Sequence, residues 1–279
     1  MVLSHKCLFI FLIKMKNLII SPAVNLKTNE VEFFLKTLRK YYMDDIYFLV
    51  GKKDIDLKKK INFYNSKFYE VNEHGYDIQL KRYKHFSKIL EENRNKYNQV
   101  LFCDCRDIYF QSNPFEYNYK GSINFFSEDI KFNTCPINSS WVLNTFGKKI
   151  YDDLKNKTVC CGGTLLANIN LMIKWLNLMD KLILAYPFKK RLKYLLTLRR
   201  DKEGRGCDQA HGNYIYYKKF FKDSHLYSNK EGPVATVFYL KNIKFNKSFQ
   251  LINELGEPYS IVHQYDKRWD EFSDNVNAI

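Results

Sequence analysis

VLFCDCRDIYFQSNPF, residues 100–115, carries the reading of this chain. It opens as an unbroken apolar run, Val100 to Cys103, and stops at a carboxylate, Asp104. A short apolar run without alternation suits a strand covered on both faces, as in a parallel sheet. Residues 99–104 are therefore predicted as such a strand, with Cys103 and Cys105 as small buried residues beside Asp104. Upstream, residues 17–21 (NLIIS), 46–50 (IYFLV, ended by Gly51) and 67–71 read as further strands. Asn29 and Glu32 have capping-box spacing, and Val31, Phe34, Leu35, Leu38 and Tyr42 recur at helical intervals. Leu80, Tyr83, Phe86 and Leu90 stripe a second helix over 77–95. Strand alternating with helix predicts an α/β fold: a twisted, mostly parallel central sheet flanked by helices. Such sheets take ligands at the carboxyl ends of their strands, where Asp104 and Asp107 fall.

Downstream the pattern is mixed. Residues 122–128 and 159–166 read as strands, 170–184 and 208–218 as helices, and strands are expected near 234–240 and 259–263. No repeat or linker divides the chain, so residues 17–279 are expected to form one domain. Residues 1–16, with the apolar run CLFIFLI at 7–13, read as an N-terminal extension or a weak apolar anchor.

Composition narrows the classes. With 46% hydrophobic and 27% charged residues the chain is globular rather than disordered. There is no GxGxxG and no Walker loop, so neither a dinucleotide motif nor a P-loop is supported. The seven cysteines include no CxxC pair, and Cys160 and Cys161 are adjacent. Free thiols at Cys103, Cys105, Cys160 and Cys161 are expected, hence a reducing, cytoplasmic setting. No run reaches the roughly 18–20 apolar residues of a membrane span. The net charge of +15 draws anionic partners. Residues 188–205, FKKRLKYLLTLRRDKEGR, read either as a peripheral contact with an anionic membrane or as an ordinary surface helix.

Two carboxylates at a strand end suit a divalent cation with oxygen ligands, Mg or Mn; the alternative is a salt-bridged strand end. On a continuing strand Asp104 and Arg106 would share a face and Asp107 would point away. Both acids can reach one ion only if the chain turns after Asp104.

The stretch at 100–115 resembles the signature VLLxDxRDVxFQxDPF of nucleotide-sugar-dependent glycosyltransferases with the GT-A fold. Three later stretches are similar to that family in the same order: CCGGTLLANINLMIKWLNLM at 160–179, DQAHGNYIYY at 208–217 (DQxxxNxL) and VHQYDKRWD at 262–270 (HQYDR). The resemblance runs from about Asn17 to Trp269. It implies a nucleotide-binding N-terminal half and an acceptor-side C-terminal half. It also implies a hexosyl transfer from a nucleotide-diphosphate donor to a glycan, lipid-linked or protein acceptor, with Mn or Mg as cofactor.

By position, the resemblance makes Asp104 and Asp107 the metal motif, completed by His263. The motif here reads D-C-R-D, without the i, i+2 carboxylate pair, so the direct ligand is open between the two acids. His263 by itself reads equally as a buried strand histidine. Gly162 and Gly163 would line the donor sugar, where a side chain would block close approach. Asp208 and Gln209 would reach that sugar from a helix start as the catalytic pair, with Asn213 on a similar face; Asp208 also suits an N-cap. Lys267 and Arg106 would contact the diphosphate, and Arg82 would do so too unless it lies on a solvated helix face. The Asp-Gln pair tilts the outcome towards retention. Two other classes compete: a basic nucleic-acid-binding protein, which the dispersed charge and lack of motifs disfavour, and a non-catalytic sugar-binding relative.

Overall fold

A computed structural model describes residues 15–73, 75–185 and 206–278. The apolar run at 7–13 and the basic segment 188–205 lie outside the described residues. Ten strands form among them: β1 (Lys16–Pro22), β2 (Asp45–Gly51), β3 (Lys67–Val71), β4 (Tyr97–Cys103), β5 (Ile108–Phe110), β6 (Ile123–Lys131), β7 (Thr158–Asn168), β8 (Ser224–Tyr227), β9 (Val234–Thr236) and β10 (Ile261–His263). The α-helices are α1 (Thr28–Leu38), α2 (Ile55–Phe63), α3 (Tyr76–Glu92), α4 (Pro136–Phe146), α5 (Lys148–Leu154), α6 (Ile169–Leu184), α7 (Cys207–Tyr217) and α8 (Trp269–Ala278). Seven strands build the central sheet in the order β3-β2-β1-β4-β7-β6-β8, and β5, β10 and β9 make a small second sheet. Only β7 of the central sheet runs against its neighbours, pairing antiparallel with β4 and β6. The other pairs are parallel.

Strand alternation explains the unbroken apolar runs. Leu18, Ile20, Val100 and Phe102 face one way and pack under Phe86 and Leu90 of α3 and Met172 and Leu176 of α6. Ile19, Leu101 and Cys103 face the other way, under Val31, Phe34 and Leu35 of α1. Both faces are dry, so no polar position interrupts the strand sequence. Each buried Leu or Phe contributes about 1.5–3 kcal/mol.

The α/β architecture with a mostly parallel, helix-flanked sheet is as expected, and several details differ. Helix α1 begins two residues early: the Glu30 carboxylate accepts from the Lys27 N–H at 2.7 Å. Glu32 instead takes Lys60 at 2.9 Å. The expected strand over 234–240 stops at Thr236 and becomes a 3-10 turn, Val237–Tyr239. The helix expected over 77–95 ends at Glu92.

The strand order positions the site. From β1 the chain steps outward to β2 and β3, then returns to β4 on the opposite side of β1. At that reversal the connections leave in opposite directions and a crevice opens beyond the strand ends, as in doubly wound α/β sheets. A cleft of about 300 Å³ lies there, with Pro22 at the end of β1 and Val24 just beyond it on one side and Asp104 after β4 at its centre.

Candidate metal centre and cleft

The chain does turn after Asp104. Strand β4 ends at Cys103, residues 104–107 turn, and β5 starts at Ile108. The Asp104 N–H still donates to the Gly163 carbonyl at 2.8 Å, so its backbone stays fastened to β7 while its carboxylate stands at the strand end. Strand β5 pairs antiparallel with β10, setting Ile108 opposite His263. The Gln264 N–H donates to the Asp107 carbonyl at 2.8 Å. These two fastenings bring together Asp104, Asp107 and His263, and one ligand atom from each lies within 4.8 Å of the others. His263 Nε2 stands 3.6 Å from Asp107 Oδ1 and 3.9 Å from Asp104 Oδ2.

A cation suits this set. Two carboxylates and one imidazole are donors for Mn, with Mg favoured by the oxygens alone. The space is held open by Gly163: a Cβ there would lie 2.5 Å from Asp104 Oδ2 and 2.5 Å from His263 Cε1. Cys161 Sγ lies 3.3 Å from His263 Nδ1 and fixes the ring with Nε2 towards the acids, the orienting contact that ligating histidines require. Burial pushes the Asp104 carboxyl up, against the Arg82 guanidinium. Burial also acts on Asp107, but His263, Arg106 and Lys267 outweigh it and hold that carboxyl below its ordinary range. His263 is held well above an ordinary histidine: burial opposes its charge, and Cys161 and Asp107 overcome that.

Arg82 is not on a solvated face. It is buried, donating to Asp104 Oδ1 at 2.7 Å and to Asp208 Oδ2 at 3.0 Å. Tyr83 donates to the same Asp208 oxygen at 3.3 Å. The guanidinium lies over Phe102 at 4.9 Å. Arg82 therefore ties α3 to the turn at 104–107 and to α7, and its Nε has no partner among the described residues.

Gln209 is equally engaged. Its Oε1 accepts from the Gly162 N–H at 3.1 Å, and its Nε2 donates to Glu128 at 2.9 Å and to Asn138 Oδ1 at 2.7 Å. Asn138 donates to Glu128 in turn at 3.0 Å. Asp208, Gln209, Gly162 and Gly163 all line the cleft, as does Arg106. Asn213 does not: its amide pairs with both backbone groups of Cys160, at 2.7 and 2.8 Å, and clamps α7 to β7. Lys267 turns to Asp266 at 2.9 Å and is not among the lining residues. Arg106 stands 3.6 Å from the same Asp266.

Among the site residues that escaped the sequence reading are Glu128, Asn138 and Trp141. Asn138 and Trp141 belong to PINSSWVLNTF, which opens with Pro and carries Asn and Ser, a composition that reads as a turn. The available signal was a buried-strand acid, Glu128, which demands a hydrogen-bonding partner. A scan against protein-family models and a search of curated proteins return no match to this chain, so the meaning of the site rests on its residues and their geometry.

Proposed function

We propose that this chain is a divalent-metal-dependent glycosyltransferase, taking a sugar from a nucleotide-diphosphate donor to a glycan, lipid-linked or protein acceptor. One observation carries the reading: Asp104 and Asp107 converge with His263, from a distant part of the sequence, at the switch point of a mostly parallel sheet. Bound between them, Mn or Mg would neutralise charge on the departing diphosphate. Arg106, half exposed at the cleft, adds positive charge on the same side. Gly162 and Gly163 line the cleft, and the absence of their Cβ atoms makes room for Gln209 and for Asp104 with His263. Arg82 and Tyr83 both bond Asp208 Oδ2, which keeps that oxygen from an acceptor hydroxyl. That favours the retaining course, in which a leaving phosphate oxygen takes the acceptor's proton. A cytoplasmic setting fits the free, buried thiols. Among the described residues no helix is long and apolar enough to cross a membrane.

The test is donor hydrolysis and transfer across a panel of nucleotide sugars, with and without Mn. Turnover that appears with the metal and vanishes on chelation supports the reading. A protein that neither binds nor cleaves any nucleotide sugar overturns it.

A further inference from the structure

The two ends of the cleft differ in chemistry. Along the sheet it runs from the end of β1, past the candidate metal ligands after β4, to Gly162 and Gly163 in β7. Val24, Leu26 and Ile78 wall the first end. Asp208, Gln209 and one indole, that of Trp141, wall the second.

That indole is held in place from behind. Gly206 sits directly before α7 in the left-handed conformation, φ 75°, and a Cβ on it would fall inside the Trp141 ring. Backbone angle and ring contact separately demand glycine at this one position. Asn138 lies three residues before Trp141, one turn back on the same side of α4. Its amide is bonded to Glu128 and Gln209. The side chain that fixes Gln209 and the indole therefore belong to one helix face.

We propose that Trp141 is the platform for the sugar ring of a nucleotide-sugar donor. This deepens the glycosyltransferase reading and rests on it. A diphosphate on the metal sites leaves two directions for the rest of the donor. The apolar end suits the flat, poorly hydrated base. A sugar needs the other end, since it presents a face of C–H bonds and a rim of hydroxyls. A broad aromatic face with polar groups at its edge meets both demands. A nucleoside diphosphate without sugar ends at the metal and does not reach the indole.

The experiment titrates UDP and UDP-glucose, and GDP and GDP-mannose, with Mn present, into the native chain, Trp141→Ala and Trp141→Tyr. For the pair that binds, Trp141→Ala weakens the nucleotide sugar roughly three- to tenfold. The nucleoside diphosphate stays within about twofold, and Trp141→Tyr recovers most of the loss. A near-native Tm of the variant reports that α4 is in place. Should Trp141→Ala not fold, the same ratio is read on Trp141→Leu, which covers Gly206 without an aromatic face. Equal loss for both ligands, or loss for neither, overturns the platform. A native chain that binds no nucleoside diphosphate overturns the donor reading, and that arm involves no variant, so the two failures are told apart.

Discussion

At the residue scale the site divides into side chains that face the cleft and side chains that hold them. Asp104→Asn and Asp107→Asn each remove a ligand charge and keep the shape, so turnover should fall by roughly 100-fold or more. Near-normal metal-dependent turnover in both would remove the assignment. Asp107→Asn should also unfold more easily than Asp104→Asn at neutral pH, because the fold holds the Asp107 carboxyl below its ordinary range and lifts that of Asp104. Loss of Asp104 is further cushioned because Asp208 still faces the Arg82 guanidinium. Glu128 supplies a pH test. Burial lifts its carboxyl above the ordinary 4.5, against hydrogen bonds from Gln209 and Asn138. The unfolded chain releases this proton first as pH rises, so the folded state holds the extra proton and loses stability through that window. The contribution is whole below about 4.5 and gone above the folded-state pKa. Glu128→Gln has no such proton. The Tm of this variant minus that of the native chain should climb as pH rises through the window and then level, around an offset for the lost acceptor. A flat difference would show that Glu128 does not titrate there. Asp104, Asp107, His263 and Gly163 were legible because their motifs were. The purpose of Gly163 was not: beyond any approach of a sugar, it makes room for Asp104 and His263, a contact that only the folded chain contains.

At the element scale, what could be read was what repeats. Strands β1 to β4 announce themselves as apolar runs, and α3 and α6 as long stripes. Helix α2 buries only Leu57 and Ile61 beneath a run of lysines, too little periodicity to register. Strand β5 has three residues and β8 four, lengths at which composition says nothing. These short pieces nevertheless finish the site, because β5 and β10 carry Asp107 and His263 to one place. Helix α3 meets the cleft through Arg82 alone among its charged residues that pair with Asp104 and Asp208. Arg82→Met removes the cation shared by half-buried Asp104 and the more deeply buried Asp208, leaving Asp208 only its bond from Tyr83. We expect a loss of ~3–5 kcal/mol in urea unfolding. Little change would mean that the two acids are stabilised by other contacts.

At the scale of the whole molecule, charge and thiols are the readable properties. On the proposed reading, the net +15 would draw an anionic donor in before any contact is made. Such steering is screened over about 10 Å at 0.1 M salt. kcat/KM for the donor should therefore fall steadily with added salt while kcat holds; a salt-insensitive kcat/KM would confine the useful charge to the site. Cys103, Cys105, Cys135, Cys160 and Cys161 are free and buried. They should resist a thiol reagent in the native protein and react on unfolding, mapped by mass spectrometry; a bridge among them, or fast native labelling, would contradict this. The small sheet has a further consequence. A ribosome lays down both aspartates well before the histidine, because β10 follows every strand of the central sheet. A copy folded only as far as β8 presents two of the three candidate ligands. On the proposed reading such a copy would neither hold the ion nor turn over donor, so a stop before β10 would leave a silent protein rather than a leaky one.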